Sequence, residues 1–273
     1  MAKHRLIFTL LVDKGTYVLS RNFRLQRVGD LKWIKEYYDF NAIAFSIDEL
    51  IVLNVERGDK DIKSFGKNLE LLTANCFMPV AAGGGIKSVE AAFKLFDAGA
   101  DKIVINTSLV KDLELVRRLV KIFGGQSIIG SIDYKLCDDR QKVFIENGSI
   151  DTGWSVEGAV RNAADLGVGE IYLTSMDRDG TGQGYDLETL KRISAISSLP
   201  MIASGGVGRF DQLAEGIKYS KVQGVSTANL FNFIADGLTE ARSYMRENGI
   251  DLAEWKASIQ KDDTGAACHN ASA

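Results

Sequence analysis

Histidine is scarce in this chain of 273 residues: His4 near one end and His269 near the other are the two it has. A Ser-His-Asp triad, a Cys-His pair or a histidine-rich zinc site is therefore hard to build. Cysteine is nearly as sparse, and Cys76, Cys137 and Cys268 show no CxxC spacing. They read as free thiols of a reducing compartment, so the cytoplasm is the expected location. No apolar run approaches the roughly 20 residues of a membrane span. The opening MAKHRLIF has no apolar stretch leading to a small-residue cleavage site, so no secretory signal is expected. Neither sign of charge dominates: the net charge is −3, with 25% of residues charged and 45% hydrophobic. That balance gives no electrostatic reason to expect nucleic acid or an anionic membrane as partner. The chemistry must rest on carboxylates, lysines, hydroxyls and backbone groups, and neither a metal nor a cofactor is expected.

What the chain does have is alternation. Short apolar runs recur at 6–11, 49–55, 78–82, 102–106, 127–133, 170–176, 200–204 and 223–228. They do not alternate apolar and polar residues, which suits strands covered on both faces. Between them lie amphipathic stretches that predict helices over 30–40, 88–100, 112–125, 186–196 and 232–248. Asp30 and Ser88 stand as N-caps, and Gly99 and Gly124 as C-terminal stops. Eight strand–helix alternations point to a closed (β/α)₈ barrel in the α/β class.

The chain also repeats itself. At an offset of 121, residues 79–109 lie on 200–230 without a gap, bringing Pro79 onto Pro200, Gly84 onto Gly205 and Gly85 onto Gly206. Glu49 falls on Glu170 at the same offset, and Leu11 falls on Asp133 at 122. The expectation is one barrel spanning 1–259, built from half-barrels 1–125 and 126–259, with a disordered tail over 260–273.

Each half carries a glycine-rich turn after its third strand, GGG at 83–85 and SGG at 204–206, and small or polar residues after its fourth. Glycine there either lets backbone N–H groups approach an anion or simply supplies a positive φ. Two copies at matching places favour two phosphate sites, suited to a substrate phosphorylated at both ends. The densest polar stretch, LTSMDRDGTGQGYD at 173–186, reads either as a solvated Asx-type turn or as pocket lining at a strand's C-terminal end.

LTSMDRDGTGQGYD, IASGGVGRF, AAGGGI, GADKIVINTSLV and SIDYK closely resemble the cyclase subunit of imidazole glycerol phosphate synthase, over roughly residues 5–255. The resemblance implies a (β/α)₈ barrel, a carbon–nitrogen lyase acting in histidine biosynthesis. It also implies a glutaminase subunit docked at the N-terminal face and ammonia passing through the barrel core. A bis-phosphorylated ribulosyl intermediate would bind at the top and yield imidazole glycerol phosphate and AICAR. Its phosphate contacts fall on Gly85, Asn106 and Thr107 in one half. In the other they fall on Asp179, Gly180, Gly206, Ala228 and Asn229. The family's acid–base pair falls on Asp133 and on position 11, which here is leucine. Two further departures share the first half: a loop lysine falls on Leu19 and a pocket aspartate on Asn54. Asp13, two residues beyond Leu11, is a weak substitute, because that step along a strand moves a side chain by about 6–7 Å.

Arg5, Glu49, Lys102 and Glu170 open four of the strands. They suit an ion-paired plug at the barrel base, and the resemblance places the family's ammonia-entry gate on all four. An intact gate beneath an altered catalytic pair suggests an ammonia-channelling subunit that partners a glutaminase. Its ammonia would pass to another acceptor, such as a separate sugar-amidating amidotransferase, and cyclase activity would be weakened. The alternatives are a working cyclase, and a phosphosugar isomerase or binding barrel of the same ancestry.

Overall fold

The structure, a computed structural model, describes residues 4–40, 43–74 and 76–254. The tail expected to be disordered, with Cys268 and His269, lies outside them.

All eight expected strands form, and they close on themselves. They are β1 (Arg5–Asp13), β4 (Glu49–Asn54), β5 (Val80–Gly83), β6 (Lys102–Ile105), β7 (Ile128–Cys137), β10 (Glu170–Ser175), β11 (Met201–Ser204) and β12 (Gly224–Thr227). Neighbours pair in parallel in the order β10-β11-β12-β1-β4-β5-β6-β7, and β7 returns to β10. This is the (β/α)₈ barrel. β1 and β7 stand four places apart either way round the ring of eight, so they face each other across the interior.

Sequence reasoning missed four strands. β2 (Thr16–Arg21) and β3 (Arg24–Gly29) form a hairpin beyond β1, while β8 (Arg140–Ile145) and β9 (Ile150–Ser155) extend β7. Their turns use consecutive positive-φ residues: Lys14 and Gly15, Asn22 and Phe23, Asp138 and Asp139, then Glu146, Asn147 and Gly148. That geometry matches the right-handed twist of paired strands. Both hairpin assemblies rise from the C-terminal ends of barrel strands.

The helices α1 (Leu31–Tyr37), α2 (Ile62–Thr73), α3 (Val89–Asp97), α5 (Leu113–Phe123), α6 (Val156–Asp165), α7 (Leu187–Ile196), α8 (Phe210–Ser220) and α9 (Gly237–Glu247) pack outside, with α4 (Ser108–Lys111) a single turn. Asp30, Asp61, Ser88, Asp112, Ser155 and Asp186 each cap a helix, their side chains accepting from backbone N–H groups. The last helix starts five residues later than the sequence pattern implies. Asn229 accepts from the N–H groups of Phe231 and Asn232, and Ala235 sits at φ 53°, so residues just before it turn instead of coiling. The first helix ends at Tyr37 because Tyr38 is extended, which buries its ring against Phe8.

The main apolar core lies between strands and helices, and a second fills the barrel itself. Ile7, Ile51, Ala81, Val104, Ile129, Tyr172 and Ile202 form the inner cluster, none more than 3% exposed. No described helix is long and apolar enough to cross a membrane.

Candidate active site

The expected site residues gather at the two ends of the barrel. At the C-terminal end a cavity of about 160 Å³ holds Leu11, Gly85, Asn106, Thr107, Asp133 and Asp179 in its lining. A second, of about 830 Å³, is lined by Gly180, Gly206 and Asn229, with Asp179 and Ala228 shared between the two. The glycine turns recur at the same offset as the sequence. A Cβ on Gly84 (φ +99°) would stand 2.1 Å from the Asn54 carbonyl oxygen, and one on Gly205 (φ +91°) 2.6 Å from that of Ser175. Only glycine fits where a turn folds this tightly over the neighbouring strand end.

Asp133 projects into the first cavity from β7. The Asn106 amide donates to its Oδ2 at 3.2 Å and to the Ser131 carbonyl at 3.0 Å. Burial pushes the Asp133 carboxyl up to about 7, and the nearby Asp179 adds to the rise. Lys60 and hydrogen bonds from Thr174 and Ser131 pull the other way. A carboxyl poised there can give or take a proton at neutral pH. Directly across the barrel, Leu11 on β1 presents a hydrocarbon beside Leu53, its register partner on β4. Asp13 pairs with Thr16 in the hairpin and lines neither cavity, so it does not replace the missing carboxylate. Asn54 is buried, its Oδ1 accepting from the Glu56 N–H, and Leu19 lines the second cavity.

The hairpins roof the site. The Ser20 hydroxyl donates to Asp179 Oδ2 at 2.5 Å, the Phe23 N–H to the same oxygen at 3.0 Å, and the Asn22 N–H to the Asp179 carbonyl at 2.9 Å. A Cβ on Gly180 would meet the Ser20 carbonyl oxygen at 2.1 Å. In this state Asp179 and Gly180 therefore hold the β2–β3 tip and wall one cavity from the other. Burial raises the Asp179 carboxyl above its usual range, against the hydrogen bonds from Ser20 and Phe23. On the opposite side Asn147, at the β8–β9 tip, donates to the Glu56 carbonyl, and the Glu146 N–H donates to the Thr107 hydroxyl. Ser20, Lys60 and Asn147 were not singled out from the sequence, yet all three line the first cavity, together with Ser131 of SIDYK and Thr174 of LTSMDRDGTGQGYD.

At the N-terminal end, Arg5, Glu49, Lys102 and Glu170 close into a ring of alternating charge. Arg5 bonds Glu49 at 2.5 Å and also pairs with Glu170, and Lys102 reaches Glu49 at 3.0 Å and Glu170 at 3.4 Å. Glu49 is 1% exposed. Such a buried carboxylate is tolerable because two cations satisfy it.

Between ring and cavity lies the inner apolar cluster. Its largest member, Tyr172, reaches from β10 past two strands to β1: its hydroxyl lies 3.1 Å from Thr9 Oγ1, 2.8 Å from Ser204 Oγ and 3.4 Å from Ser226 Oγ. The barrel core, through which the resemblance sends ammonia, is thus filled at this level by packed side chains. Barrel interiors are ordinarily filled this way. Among the described residues no group of three or more His, Cys, Asp or Glu is placed to hold a metal ion.

Comparison with known proteins gives one family. The family described as "Histidine biosynthesis protein" matches residues 12–234. A protein provisionally named imidazole glycerol phosphate synthase subunit hisF2, from Parasynechococcus marenigrum, is 42% identical over 256 residues, covering 93% of this chain and 95% of that protein. The imidazole glycerol phosphate synthase subunit HisF of Chlorobium limicola is 35% identical over 253 residues, 92% of this chain and 99% of its own. That of Clostridium botulinum is 34% identical over 255 residues, covering 92% and 99%.

Proposed function

The chain belongs to the cyclase-subunit family of imidazole glycerol phosphate synthase, and from that premise we propose that it works as an ammonia-handling synthase subunit with weakened cyclase chemistry. The observation that carries this reading is the contrast between the two barrel ends. The floor ring of Arg5, Glu49, Lys102 and Glu170 is complete, while Asp133 faces Leu11 across the ceiling.

A glutaminase subunit is the proposed partner, docked at the N-terminal face where the ring opens. Ammonia would enter there and move up the barrel axis, and a separate amidotransferase acting on a sugar is one acceptor consistent with lost proton transfer. The inner cluster is closed at rest, so passage requires its side chains to move, Tyr172 above all. Gly85, Asn106 and Thr107 would hold one phosphate of a bis-phosphorylated ligand, and Asp179, Gly180, Gly206, Ala228 and Asn229 the other. Spanning both sites requires the β2–β3 tip to release Asp179. Leucine cannot transfer a proton, and loss of one general acid–base group slows a reaction by about 10²–10⁴.

The second reading, a working cyclase in histidine biosynthesis, draws support from the Asp133 carboxyl near 7 and from the names its relatives carry. The two part on one assay. The purified chain is mixed with the glutaminase subunit of an imidazole glycerol phosphate synthase, glutamine and the ribulosyl intermediate. Glutamine hydrolysis and imidazole glycerol phosphate are followed together. Hydrolysis with little imidazole product supports the first reading; stoichiometric imidazole product supports the second.

A further inference from the structure

Lys60 leaves the β4–α2 connection and turns into the first cavity. Its stem lies across the glycine turn: a Cβ on Gly85 would stand 2.9 Å from both Lys60 Cβ and Lys60 Cδ. Its ammonium donates to the Asn54 carbonyl at 2.6 Å and to Asn147 Oδ1 at 3.4 Å. Both acceptors are uncharged, and among the described residues no carboxylate lies within 4.0 Å of it. Where the resemblance puts a pocket aspartate, this chain has Asn54. The ammonium rests on the Asn54 backbone carbonyl, while the Asn54 side-chain oxygen accepts from the Glu56 N–H, so position 54 adds no negative charge to the connection.

We propose that Lys60 is the cation of the first-half anion site and takes a phosphate monoester seated at the Gly84–Gly85 turn. This rests on the reading that the two glycine turns hold anions. The turn offers backbone N–H groups, Asn106 and Thr107 stand in the same lining, and Arg57 adds a second positive charge from the same connection. The first-half side of the cavity is thus basic, while Asp133 and Asp179 make the other side acidic. A ligand with its phosphate at Lys60 presents its body to Asp133, the orientation the remaining acid–base group requires. The charged groups facing Lys60 are Glu56, Asp133 and Lys87, the last paired with Asp59 at 3.7 Å. Burial brings the ammonium down to about 8, against the pull of Glu56 and Asp133. Its hold on an anion therefore weakens as pH rises past that value.

The test uses inorganic phosphate on the full chain, in crystals soaked after growth without phosphate or sulfate and in calorimetric titrations from pH 6.5 to 9.5. Phosphate is expected within hydrogen-bond distance of Lys60 Nζ at Gly84–Gly85. Lys60→Met should weaken that site at least tenfold. Lys60→Arg should keep it and flatten the decline above pH 8. Phosphate at Gly205–Gly206 but out of reach of Lys60 would overturn the role given to Lys60 alone, as would unchanged affinity in Lys60→Met. Phosphate at neither turn would overturn the two-anion reading beneath it.

Discussion

Leu11 and Asp133 occupy facing places on β1 and β7, yet one is hydrocarbon and the other a carboxyl held near neutrality. The contrast was legible in the sequence, because a shift of 122, one more than the offset that superposes the glycine turns, brings these two positions together. Lys60 was not legible. It stands in the charged run VERGDKD, where a lysine looks solvated, and only the fold turns it inward. Asp133 sets a pH dependence of stability. Its carboxyl is raised in the folded protein from 3.8 to about 7, so between those values the folded state binds more protons than the unfolded chain. Stability contributed by this group therefore falls as pH rises from 4 to 7 and is level above. Asp133→Asn is expected to be more stable than the parent, with a gain that grows over that window. Urea denaturation at pH 4, 5.5, 7 and 8.5 measures it, and a gain that shrinks as pH rises would contradict the assignment.

At the scale of elements, the eight barrel strands were readable because burial on both faces leaves continuous apolar runs. The two hairpin assemblies were not, because their strands mix polar and apolar residues. The ENGS turn at 146–149 was the one local signal that could have revealed β8 and β9. Both tips matter to the site. The bond from Ser20 to Asp179 pins the β2–β3 tip over the wall between the two cavities. Ser20→Ala should leave global stability within about 1–2 kcal/mol of the parent. Amide exchange at Asn22 and Phe23, which donate to Asp179, should quicken several-fold. Unchanged exchange at both amides would mean that other contacts hold the tip. Far from the site, Arg242 on α9 forks onto Asp48 at 2.9 and 3.0 Å, both residues under 10% exposed. Arg242→Ala strands that carboxylate and is expected to cost about 3–5 kcal/mol in denaturant titrations.

For the whole molecule, the ring at the floor was foreseen as four strand-opening charges, and the structure bonds each to two neighbours of opposite sign. What the sequence could not convey is the packing above it, since Tyr172 reads as one more apolar strand residue until its hydroxyl is found on Thr9 and Ser204. Glu49→Gln leaves Arg5 and Lys102 short of one negative charge. It should destabilise the fold by about 3–5 kcal/mol and, in the glutaminase complex, disturb transfer of ammonia more than its production. We further propose that residues 1–125 and 126–259 are folding units in their own right. Expressed separately and mixed, they should recover the circular dichroism of the intact chain; persistent aggregation of both would argue against it.

Leu11 is the residue on which the proposed function turns. The direct measurement is the single-turnover rate of imidazole glycerol phosphate formation from the ribulosyl intermediate and excess ammonium salt, for the parent and Leu11→Asp side by side. The parent should be slower by about a hundredfold or more than a cyclase carrying both aspartates, with Leu11→Asp recovering part of that gap despite the cost of setting a carboxylate beside Leu53. A parent that turns over readily, with no gain from the aspartate, would contradict the reading of a weakened cyclase.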